Sequence, residues 1–425
     1  MTTGLWPAPT ASGPVQATVR LPGSKSMTNR ALVLGALAAE PLVVSHPLVA
    51  RDTALMVAAV EHLGAVVNET DGGWRIQPRP LRGPVAIDCG LAGTVMRFVP
   101  PIAGLADGAV SFDGDPAARS RPVGALLGAL RGLGVRVGAA DGDRLPFTVT
   151  GTCTVPGGCV TLDASASSQF VSGLLLAGAR YDAGVTVHHD GKPLPSRPHV
   201  EMTVAMLRDR GVVVDDGEAN TWRVAPGPIA GGRIEVEPDL SNAAPFLAAA
   251  VITGGRVVVE GWPDRTTQPG DRLRELLQIA GADMTMTGDG LVATGGDVVR
   301  GFDVDLHDVG ELTPVLAALA AVADGPSYLR GIGHLRGHET DRLRALADEL
   351  STRGAEVDER SNGLAIRPRP LHGGIFRTYA DHRMVMAGAL LGLVVPGVEV
   401  EDAGAVGKTM PAFSTMWRAM LAGAR

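Results

Sequence analysis

A chain of 425 residues, 45% hydrophobic and 20% charged, has the composition of a globular protein with two or three domains and large buried cores. Its formal net charge of −7 excludes a global positive field for nucleic acid, so any anion site must be built locally. The three cysteines suit neither a disulfide framework nor a zinc site, and the longest uncharged stretch, residues 384–398, is too short to span a membrane. Because the N-terminus also lacks signal-peptide features, we expect a soluble, cytoplasmic protein with no metal, nucleic-acid or membrane partner.

The first predicted helix begins in LPGSKSMTNRALVLGALA, which starts at Leu21 and looks like half of a phosphate-binding loop. The full spacing GxxxxGK[ST] is absent, because no glycine stands five residues before Gly23 and no lysine follows it directly. Lys25 and Arg30 flank the predicted helix start, where the helix dipole disfavours a cation. These two residues therefore indicate a local anion site.

The same design recurs six times along the chain. Each copy has a short polar opening and then an apolar helical run, and the openings lie about 70 residues apart, near residues 24, 92, 166, 240, 310 and 380. A second, amphipathic helix follows each opening, with predicted starts at Asp52, Arg121, Arg197, Gln268, Glu339 and Thr409. Strand-like segments fill the gaps, so each repeat is predicted to run strand, helix, strand, helix, strand, with a further strand.

The composition of the helices predicts their burial and the domain organisation. The first helices are apolar all round and should be buried, whereas the second helices carry a charged face and should be exposed. Six repeats exceed one compact domain, so two groups of three are predicted. The fold class is therefore α/β, with a discontinuous domain of residues 1–22 plus 238–425 and an inserted domain of residues 23–237.

Cations stand at many of the helix openings, namely Lys25, Arg30, Arg97, Arg121, Arg197, Arg342, His382, Arg383 and Lys408. A single cation there is typically a solvated surface group, but helix N-termini already supply N–H donors for anions. Their recurrence predicts a site for a small, multiply anionic ligand between two domains. Glu311 and Glu339 have a simpler interpretation as helix caps, and Gly93 permits close approach of a ligand or only a tight turn.

Seven segments in order, LPGSKSMTNRAL, GLAGTVMRF, RSRPVGALL, ASSQF, HETDRL, YADHRMVMAG and KTMPAF, resemble the signature blocks of the 5-enolpyruvylshikimate-3-phosphate (EPSP) synthase family. The resemblance implies the enolpyruvyl transferase fold, an inside-out α/β barrel of two similar domains. Each domain has three βαβαββ repeats around a pseudo-threefold axis, and the active site lies in the cleft between them. It also implies transfer of the enolpyruvyl group of phosphoenolpyruvate to the 5-hydroxyl of shikimate 3-phosphate, without a cofactor, and inhibition by glyphosate. Independently of the resemblance, we expect a monomer.

The resemblance assigns the site residues as well. For shikimate 3-phosphate they are Lys25, Ser26, Arg30, Ser167, Ser168, Gln169, Ser196 and Glu311. For phosphoenolpyruvate they are Lys25, Gly93, Thr94, Arg121, Gln169, Arg342, Arg383 and Lys408. The implied catalytic residues are Lys25, Glu311, Glu339 and Lys408. Glu339 is the expected proton donor, and later acceptor, at the methylene carbon, and Glu311 faces the reacting hydroxyl.

Three positions depart from the family pattern. Glu311 stands where many relatives have aspartate, His338 where a lysine is common, and His199 where a tyrosine is common beside the shikimate ring. These departures leave open which residue moves which proton.

Two alternative functions share part of this residue pattern. A UDP-N-acetylglucosamine enolpyruvyl transferase would share the repeats but needs a loop cysteine, where this chain has Arg121. A non-catalytic anion-binding protein would need the cations but neither Glu311 nor Glu339.

Overall fold

A computed structural model describes residues 4–139 and 142–423. The chain divides into two compact units, and it passes from one to the other between Pro22 and Gly23 and back between Val236 and Glu237. We call Gly23–Val236 the inserted unit, and the chain before and after it the discontinuous unit. Glu237 lies in the discontinuous unit, one residue earlier than the boundary expected from the sequence.

The chain begins with two short strands of the discontinuous unit, β1 (Leu5–Pro7) and β2 (Gln16–Val19). The inserted unit has helices α1 (Lys25–Leu37), α2 (Arg51–His62), α3 (Gly93–Ala103), α4 (Gly124–Gly132), α5 (Gln169–Gly178) and α6 (Pro198–Arg208). Its strands are β3 (Leu42–Ser45), β4 (Val66–Thr70), β5 (Gly73–Gln77), β6 (Val85–Asp88), β7 (Asp107–Asp113), β8 (Arg136–Ala139), β9 (Phe147–Thr152), β10 (Gly158–Leu162), β11 (Val185–His189), β12 (Val214–Asp215), β13 (Thr221–Val224) and β14 (Gly232–Glu235).

The strands of the inserted unit form three four-stranded sheets, in the orders β14-β3-β5-β4, β6-β7-β9-β8 and β10-β11-β13-β12. Each sheet has one parallel pair, such as β6 and β7 with Val85 opposite Val110, and two antiparallel pairs. In two of the sheets the parallel strands, β6 and β7 or β10 and β11, follow each other along the chain and are connected by an α-helix. In the third sheet, β14, the last strand of the unit, returns to pair with β3 of the first repeat. Each sheet with its two helices is one repeat.

The three apolar helices α1, α3 and α5 pack against one another at the centre of the inserted unit. Close approach of α3 and α5 depends on Gly173, because a Cβ atom there would lie 2.2 Å from the carbonyl oxygen of Arg97. Nearly every residue of these helices is buried, as their composition predicts.

The discontinuous unit repeats this plan. Its helices are α7 (Ala244–Thr253), α8 (Leu273–Ile279), α9 (Thr313–Ala321), α10 (Arg342–Thr352), α11 (His382–Gly392) and α12 (Phe413–Ala422). Its further strands are β15 (Arg256–Glu260), β16 (Asp283–Thr287), β17 (Gly290–Thr294), β18 (Asp303–Asp305), β19 (Ser327–Arg330), β20 (Glu356–Arg360), β21 (Gly363–Arg367), β22 (Gly374–Phe376) and β23 (Val398–Glu401). Within the described chain, every helix is too short or too polar to cross a membrane.

The sheets of the discontinuous unit have the orders β16-β17-β15-β2, β18-β19-β21-β20 and β1-β23-β22. The two N-terminal strands therefore complete two different sheets, with β2 parallel to β15 and β1 antiparallel to β23. Helices α7, α9 and α11 pack against one another in the core. The predicted α/β fold of six repeats is confirmed, although among the described residues the sheets stay separate and close no barrel.

Several of the second helices begin later than the sequence predicts. Helix α4 starts at Gly124 instead of Arg121, and α12 starts at Phe413 instead of Thr409. Pro122 and Pro411 explain both shifts, because a proline disfavours the helical conformation of the residue before it. The preceding residues instead form or end short 3₁₀ turns.

Helix α10 also begins later, at Arg342 and not at Glu339. Its cap is Asp341, whose side chain accepts a hydrogen bond from the backbone N–H of Arg344. The simpler interpretation of Glu339 as the helix cap is therefore wrong, which leaves that carboxylate available for another role.

Candidate active site

The first group of candidate residues lies at the start of α1 in the inserted unit. The Ser24 hydroxyl caps the helix by accepting a hydrogen bond from the Met27 N–H at 3.4 Å. Lys25 is the first helical residue, and its Nζ lies 3.4 Å from Oδ2 of Asp52 on α2. Only 2% of the Asp52 side chain is exposed, against 21% for Lys25. A buried carboxylate thus offsets part of the cost of a cation at a helix N-terminus.

Arg30, one turn later on α1, is a buried cation held by neutral groups. Its guanidinium donates to Thr203 Oγ1 at 2.7 Å, to Ser172 Oγ at 3.3 Å and to the carbonyl oxygens of Ser26 and His199. Burial lowers the pKa of Arg30 to about 9. Because these acceptors carry no charge, the guanidinium contributes positive potential that an anion can neutralise.

Two guanidinium groups meet at the start of α3. A Cβ atom on Gly93 would lie 2.8 Å from Nη1 of Arg97 and 3.0 Å from Nη2 of Arg121, so the absence of a side chain lets both groups approach the helix N-terminus. Both arginines are buried, and Thr94 beside them accepts a hydrogen bond from Asn29 Nδ2 at 2.8 Å. Two cations at a helix N-terminus make this point strongly attractive to an anion.

The third group lies at the start of α5 and before α6. Gln169 accepts a hydrogen bond from Arg97 Nη1 at 2.9 Å through its Oε1, and its own N–H donates to Ser167 Oγ at 3.3 Å. Ser168 is 3% exposed. Ser196 has φ 52°, a left-handed conformation that is uncommon outside glycine and often occurs at functional positions.

Hydrogen bonds connect these three helix openings. The Asn29–Thr94 bond joins α1 to α3, and the Arg97–Gln169 bond joins α3 to α5. The structure therefore places nine of the predicted residues of this unit at three connected helix openings, namely Lys25, Ser26, Arg30, Gly93, Thr94, Arg121, Ser167, Ser168 and Gln169. Ser196 is linked to them through His199, whose N–H donates to the Ser196 carbonyl oxygen and whose own carbonyl oxygen accepts from Arg30.

In the discontinuous unit, Glu339 lies between two cations. Its Oε1 accepts from Lys408 Nζ at 2.5 Å, and its Oε2 accepts from Arg342 Nη2 at 3.0 Å. All three side chains are less than a tenth exposed. Such a carboxylate can exchange a proton with a ligand only if the cations are partly drawn away from it.

Arg342 has a second carboxylate partner at the start of α11. It donates from Nε to Oδ2 of Asp381 at 2.7 Å and from Nη2 to Oδ1 at 3.2 Å. Burial alone would lower the pKa of Arg342, but the charges of Asp381 and Glu339 outweigh burial and raise that pKa above its ordinary value. Asp381 also caps α11 by accepting from the N–H of Arg383 at 2.8 Å.

Arg383 and Glu311 are connected through the first helix opening of the same unit. Arg383 donates from Nη1 to the carbonyl oxygen of Ser241 at 2.9 Å, and the Ser241 hydroxyl donates to Glu311 Oε1 at 3.1 Å. Burial lowers the pKa of Arg383 although nearby carboxylates, Asp239 first among them, oppose this. The predicted residues Glu311, Glu339, Arg342, Arg383 and Lys408 thus belong to neighbouring hydrogen-bond networks.

Three histidine rings stand beside these carboxylates. The ring centroids of His307 and His334 lie 5.7 Å apart, and those of His334 and His338 lie 5.9 Å apart. Burial, followed by the charge of His307, lowers the pKa of His334 to about 4, so its ring is neutral near pH 7. His338 Nδ1 lies 3.3 Å from Arg342 Nη1 and 3.9 Å from Glu339 Oε2.

The family resemblance assigns several residues of these networks to neither substrate, namely Asp52, Arg97, Ser241, His334 and Asp381. Arg97 is one of the helix-opening cations whose recurrence predicts an anion site, but the resemblance gives it no substrate contact. Asp381 precedes His382 and Arg383 in YADHRM, and an acidic residue at a helix opening is easily discounted as a cap. Asp381 is in fact both a cap and the partner of Arg342.

The chemistry open to these networks is anion binding with proton transfer. Arginine forks match carboxylate and phosphate groups, lysines supply movable positive charges, and a carboxylate such as that of Glu339 can exchange a proton when its cations are drawn away. Within the described part of the chain, no group of three or more His, Cys, Asp or Glu side chains is arranged to hold a metal ion.

Residues 9–417 match the model of the family described as EPSP synthase (3-phosphoshikimate 1-carboxyvinyltransferase). The chain is 56% identical to the 3-phosphoshikimate 1-carboxyvinyltransferase of Kocuria rhizophila, with 97% of this chain and 96% of that protein aligned. Sequence similarity therefore extends over almost the whole length of both proteins.

Solved structures agree with the sequence relatives. The structure of EPSP synthase from Acinetobacter baumannii superposes with a TM-score of 0.82 at 26% identity, covering 99% of this chain and 98% of the other. The enolpyruvyl transferase NikO from Streptomyces tendae has a TM-score of 0.75 at 18% identity, covering 97% and 96% of the two chains, and supports the fold alone.

Proposed function

Because the chain belongs to the EPSP synthase family, as its motifs predict, we propose that the residue groups of the two units serve one reaction, the synthesis of 5-enolpyruvylshikimate 3-phosphate. The chain is a 3-phosphoshikimate 1-carboxyvinyltransferase of the shikimate pathway. Its substrates are phosphoenolpyruvate and shikimate 3-phosphate.

The reaction proceeds by addition and elimination. In the addition, the 5-hydroxyl oxygen of shikimate 3-phosphate bonds to C2 of phosphoenolpyruvate, the hydroxyl loses its proton, and C3 gains a proton to become a methyl group. In the elimination, C3 loses a proton, the double bond forms again, and the C2–O bond to phosphate breaks. Atoms balance with inorganic phosphate as the second product.

In the inserted unit, Ser26, Arg30, Ser167, Ser168 and Ser196 bind shikimate 3-phosphate, and Gly93, Thr94 and Arg121 bind phosphoenolpyruvate. Lys25 and Gln169 contact both substrates. The two guanidinium groups beside Gly93 support this division, because paired cations at a helix N-terminus suit a ligand with a carboxylate and a phosphate. Arg97 joins the predicted set as the residue that orients Gln169.

In the discontinuous unit, Arg342, Arg383 and Lys408 bind phosphoenolpyruvate, Glu339 protonates and later deprotonates C3, and Glu311 faces the reacting hydroxyl. The observation that carries this proposal is the contact of one carboxylate, Glu339, with both Arg342 and Lys408. Anionic substrate groups compete for those two cations and so increase the proton affinity of Glu339. Substrate binding thereby prepares the acid that the addition needs.

The proposal also covers the partners, the oligomeric state, the location and the inhibition of the enzyme. The partners are the two small-molecule substrates, and the enzyme acts as a monomer in the cytoplasm. Glyphosate, an anion that competes with phosphoenolpyruvate, inhibits it.

Release of inorganic phosphate tests the function directly. The purified chain should release phosphate only when phosphoenolpyruvate and shikimate 3-phosphate are both present, and one phosphate should appear for each enolpyruvyl ether formed. Omission of either substrate is the control. Phosphate release from phosphoenolpyruvate alone, or none with both substrates, would contradict the proposed reaction, and the second result is what an anion-binding protein would give.

Gly93→Ala should weaken binding at the start of α3. The added methyl group would lie 2.8 Å from Arg97 Nη1 and 3.0 Å from Arg121 Nη2, so both guanidinium groups must shift. We expect the KM for phosphoenolpyruvate to rise roughly tenfold, about 1.4 kcal/mol, and inhibition by glyphosate to weaken at least as much. Steady-state kinetics with and without glyphosate measure both effects.

Gly128→Ala is the matched control, because a Cβ atom at this position of α4 has no neighbour within 4 Å. Gly128→Ala should leave the KM for phosphoenolpyruvate and the inhibition by glyphosate unchanged. If Gly93→Ala also leaves glyphosate inhibition unchanged, Gly93 does not line the phosphoenolpyruvate site.

A further inference from the structure

The turn that leads into α11 has an unusual backbone. Tyr379 and Ala380 have φ values of 53° and 56°, so two consecutive residues that are not glycine adopt the left-handed conformation. This conformation brings the Cβ atom too close to the following carbonyl oxygen and persists only where surrounding contacts hold it. Asp381 is the next residue in the chain.

One face of α10 contacts both ends of this turn. At the start of the turn, Glu349 accepts from the Tyr379 hydroxyl at 2.9 Å and from the Arg377 N–H at 3.0 Å. After the turn, Asp381 accepts two hydrogen bonds from Arg342. Arg342 and Glu349 lie about two helical turns apart and therefore on the same face of α10. Helix α10 thus holds the turn by hydrogen bonds at two points.

The hydrogen bond from Tyr379 is well suited to this task. Glu349 is 4% exposed, so the acceptor end of the bond is shielded from water, although 38% of Tyr379 itself is exposed. Burial, helped by the hydrogen bond to Glu349, raises the pKa of Tyr379 to about 12, so the phenol keeps its proton and remains a donor at neutral pH.

The turn matters because it sets the position of Asp381. This residue caps α11 through the N–H of Arg383 and accepts two hydrogen bonds from Arg342. If the turn relaxed to a right-handed conformation, Asp381 would move, the Arg342 guanidinium would lose two hydrogen bonds, and the backbone N–H of Arg383 would lose its cap.

We propose that Tyr379 is a positioning residue for phosphoenolpyruvate, because its hydroxyl, through Glu349, holds the left-handed turn that places Asp381, which orients the Arg342 guanidinium and caps the helix that carries Arg383. This inference rests on the proposed binding roles of the two arginines. It predicts a selective defect, since the shikimate 3-phosphate residues of the inserted unit do not depend on this turn.

Tyr379→Phe tests the inference by removing only the hydroxyl. The KM for phosphoenolpyruvate should rise about five- to tenfold, whereas the KM for shikimate 3-phosphate should change less than twofold. Tyr328→Phe is the matched control, because it removes the hydroxyl of a tyrosine on β19 that packs against Arg330 and Arg360. Both constants of the control should stay at their native values.

Substitutions of Ala380 separate a positioning role from a general loss of stability. Ala380 is exposed, so a new side chain there disturbs little packing. Glycine adopts the left-handed conformation without cost, and Tyr379→Phe/Ala380→Gly should recover most of the lost affinity for phosphoenolpyruvate. Ala380→Val keeps the hydroxyl but makes the conformation more costly, so it should reproduce the selective rise in KM.

The inference is overturned if Tyr379→Phe leaves the KM for phosphoenolpyruvate unchanged, or raises both KM values equally. It is also overturned if Ala380→Val has no effect on that KM or if the glycine double variant shows no recovery. Should Tyr379→Phe fail to fold, the Ala380→Val result decides. Arg342→Ala, assayed in parallel, distinguishes failure of the proposed site from failure of this inference. A native KM for phosphoenolpyruvate in Arg342→Ala would refute the proposed site. A raised KM in Arg342→Ala together with a native KM in Tyr379→Phe would refute this inference alone.

Discussion

Arg342→Ala is expected to lower kcat/KM for phosphoenolpyruvate roughly 100- to 10,000-fold, which corresponds to about 3–5 kcal/mol for breaking a buried ion pair. Only 3% of the Arg342 side chain is exposed, and it is hydrogen-bonded to Asp381 and Glu339. Its removal leaves two buried carboxylates without their shared cation. The free energy of unfolding should therefore fall as well, by a few kcal/mol in urea denaturation.

Arg344→Ala provides the control, because Arg344 lies on the same helix but is 67% exposed and pairs with Asp348 one turn later. Exposed pairs of this kind contribute about 0.2–1 kcal/mol, so both activity and stability should stay close to native. Equal losses of activity in Arg342→Ala and Arg344→Ala would mean that the arginines of α10 affect activity only through the stability of the fold. Native activity in Arg342→Ala would remove this residue from the site.

Glu339→Gln is expected to lower kcat by about 10²–10⁴-fold, the usual contribution of a positioned acid or base. The amide preserves the size of the side chain but cannot transfer a proton to C3 of phosphoenolpyruvate. The KM for phosphoenolpyruvate should stay constant or fall, because Lys408 and Arg342 no longer share their charge with a carboxylate. A loss confined to kcat is the signature of a catalytic residue.

Isotope exchange sharpens the test of Glu339. In deuterium oxide the native enzyme should introduce deuterium at C3 of phosphoenolpyruvate, since the intermediate has a methyl group, and Glu339→Gln should lose this exchange together with turnover. Glu356→Gln is the control, because Glu356 is an exposed glutamate on β20 that pairs with Arg367. This variant should keep both deuterium exchange and turnover at the native rate. Exchange at the native rate in Glu339→Gln would assign the proton transfer to another residue.

Local sequence patterns are sufficient to predict the repeats and most of the candidate residues. Polar helix openings and apolar runs depend on neighbours along the chain, so α1, α3 and α11 begin close to where the sequence predicts. Cations at those openings violate a local preference, which is why Lys25 and Arg30 stand out.

Features that depend on tertiary contacts are not predictable in this way. The bond between Arg342 and Asp381 joins residues 39 positions apart, and no local pattern reports it. The left-handed Tyr379 and Ala380 have no glycine to mark them, because α10 holds their conformation from outside the segment. Glu339 and Asp341 look equally suitable as the cap of α10, and only the structure separates them.

The N-terminal strands have a consequence for the order of events during translation. Strand β1 leaves the ribosome before the inserted unit but pairs with β23, which is made almost 400 residues later, and β2 pairs with β15, which is made only after the inserted unit. The inserted unit, in contrast, draws every strand of its three sheets from one continuous segment. A nascent chain can thus complete the inserted unit while its own beginning is still unpaired, and that exposed edge is available to chaperones until the last sheet closes.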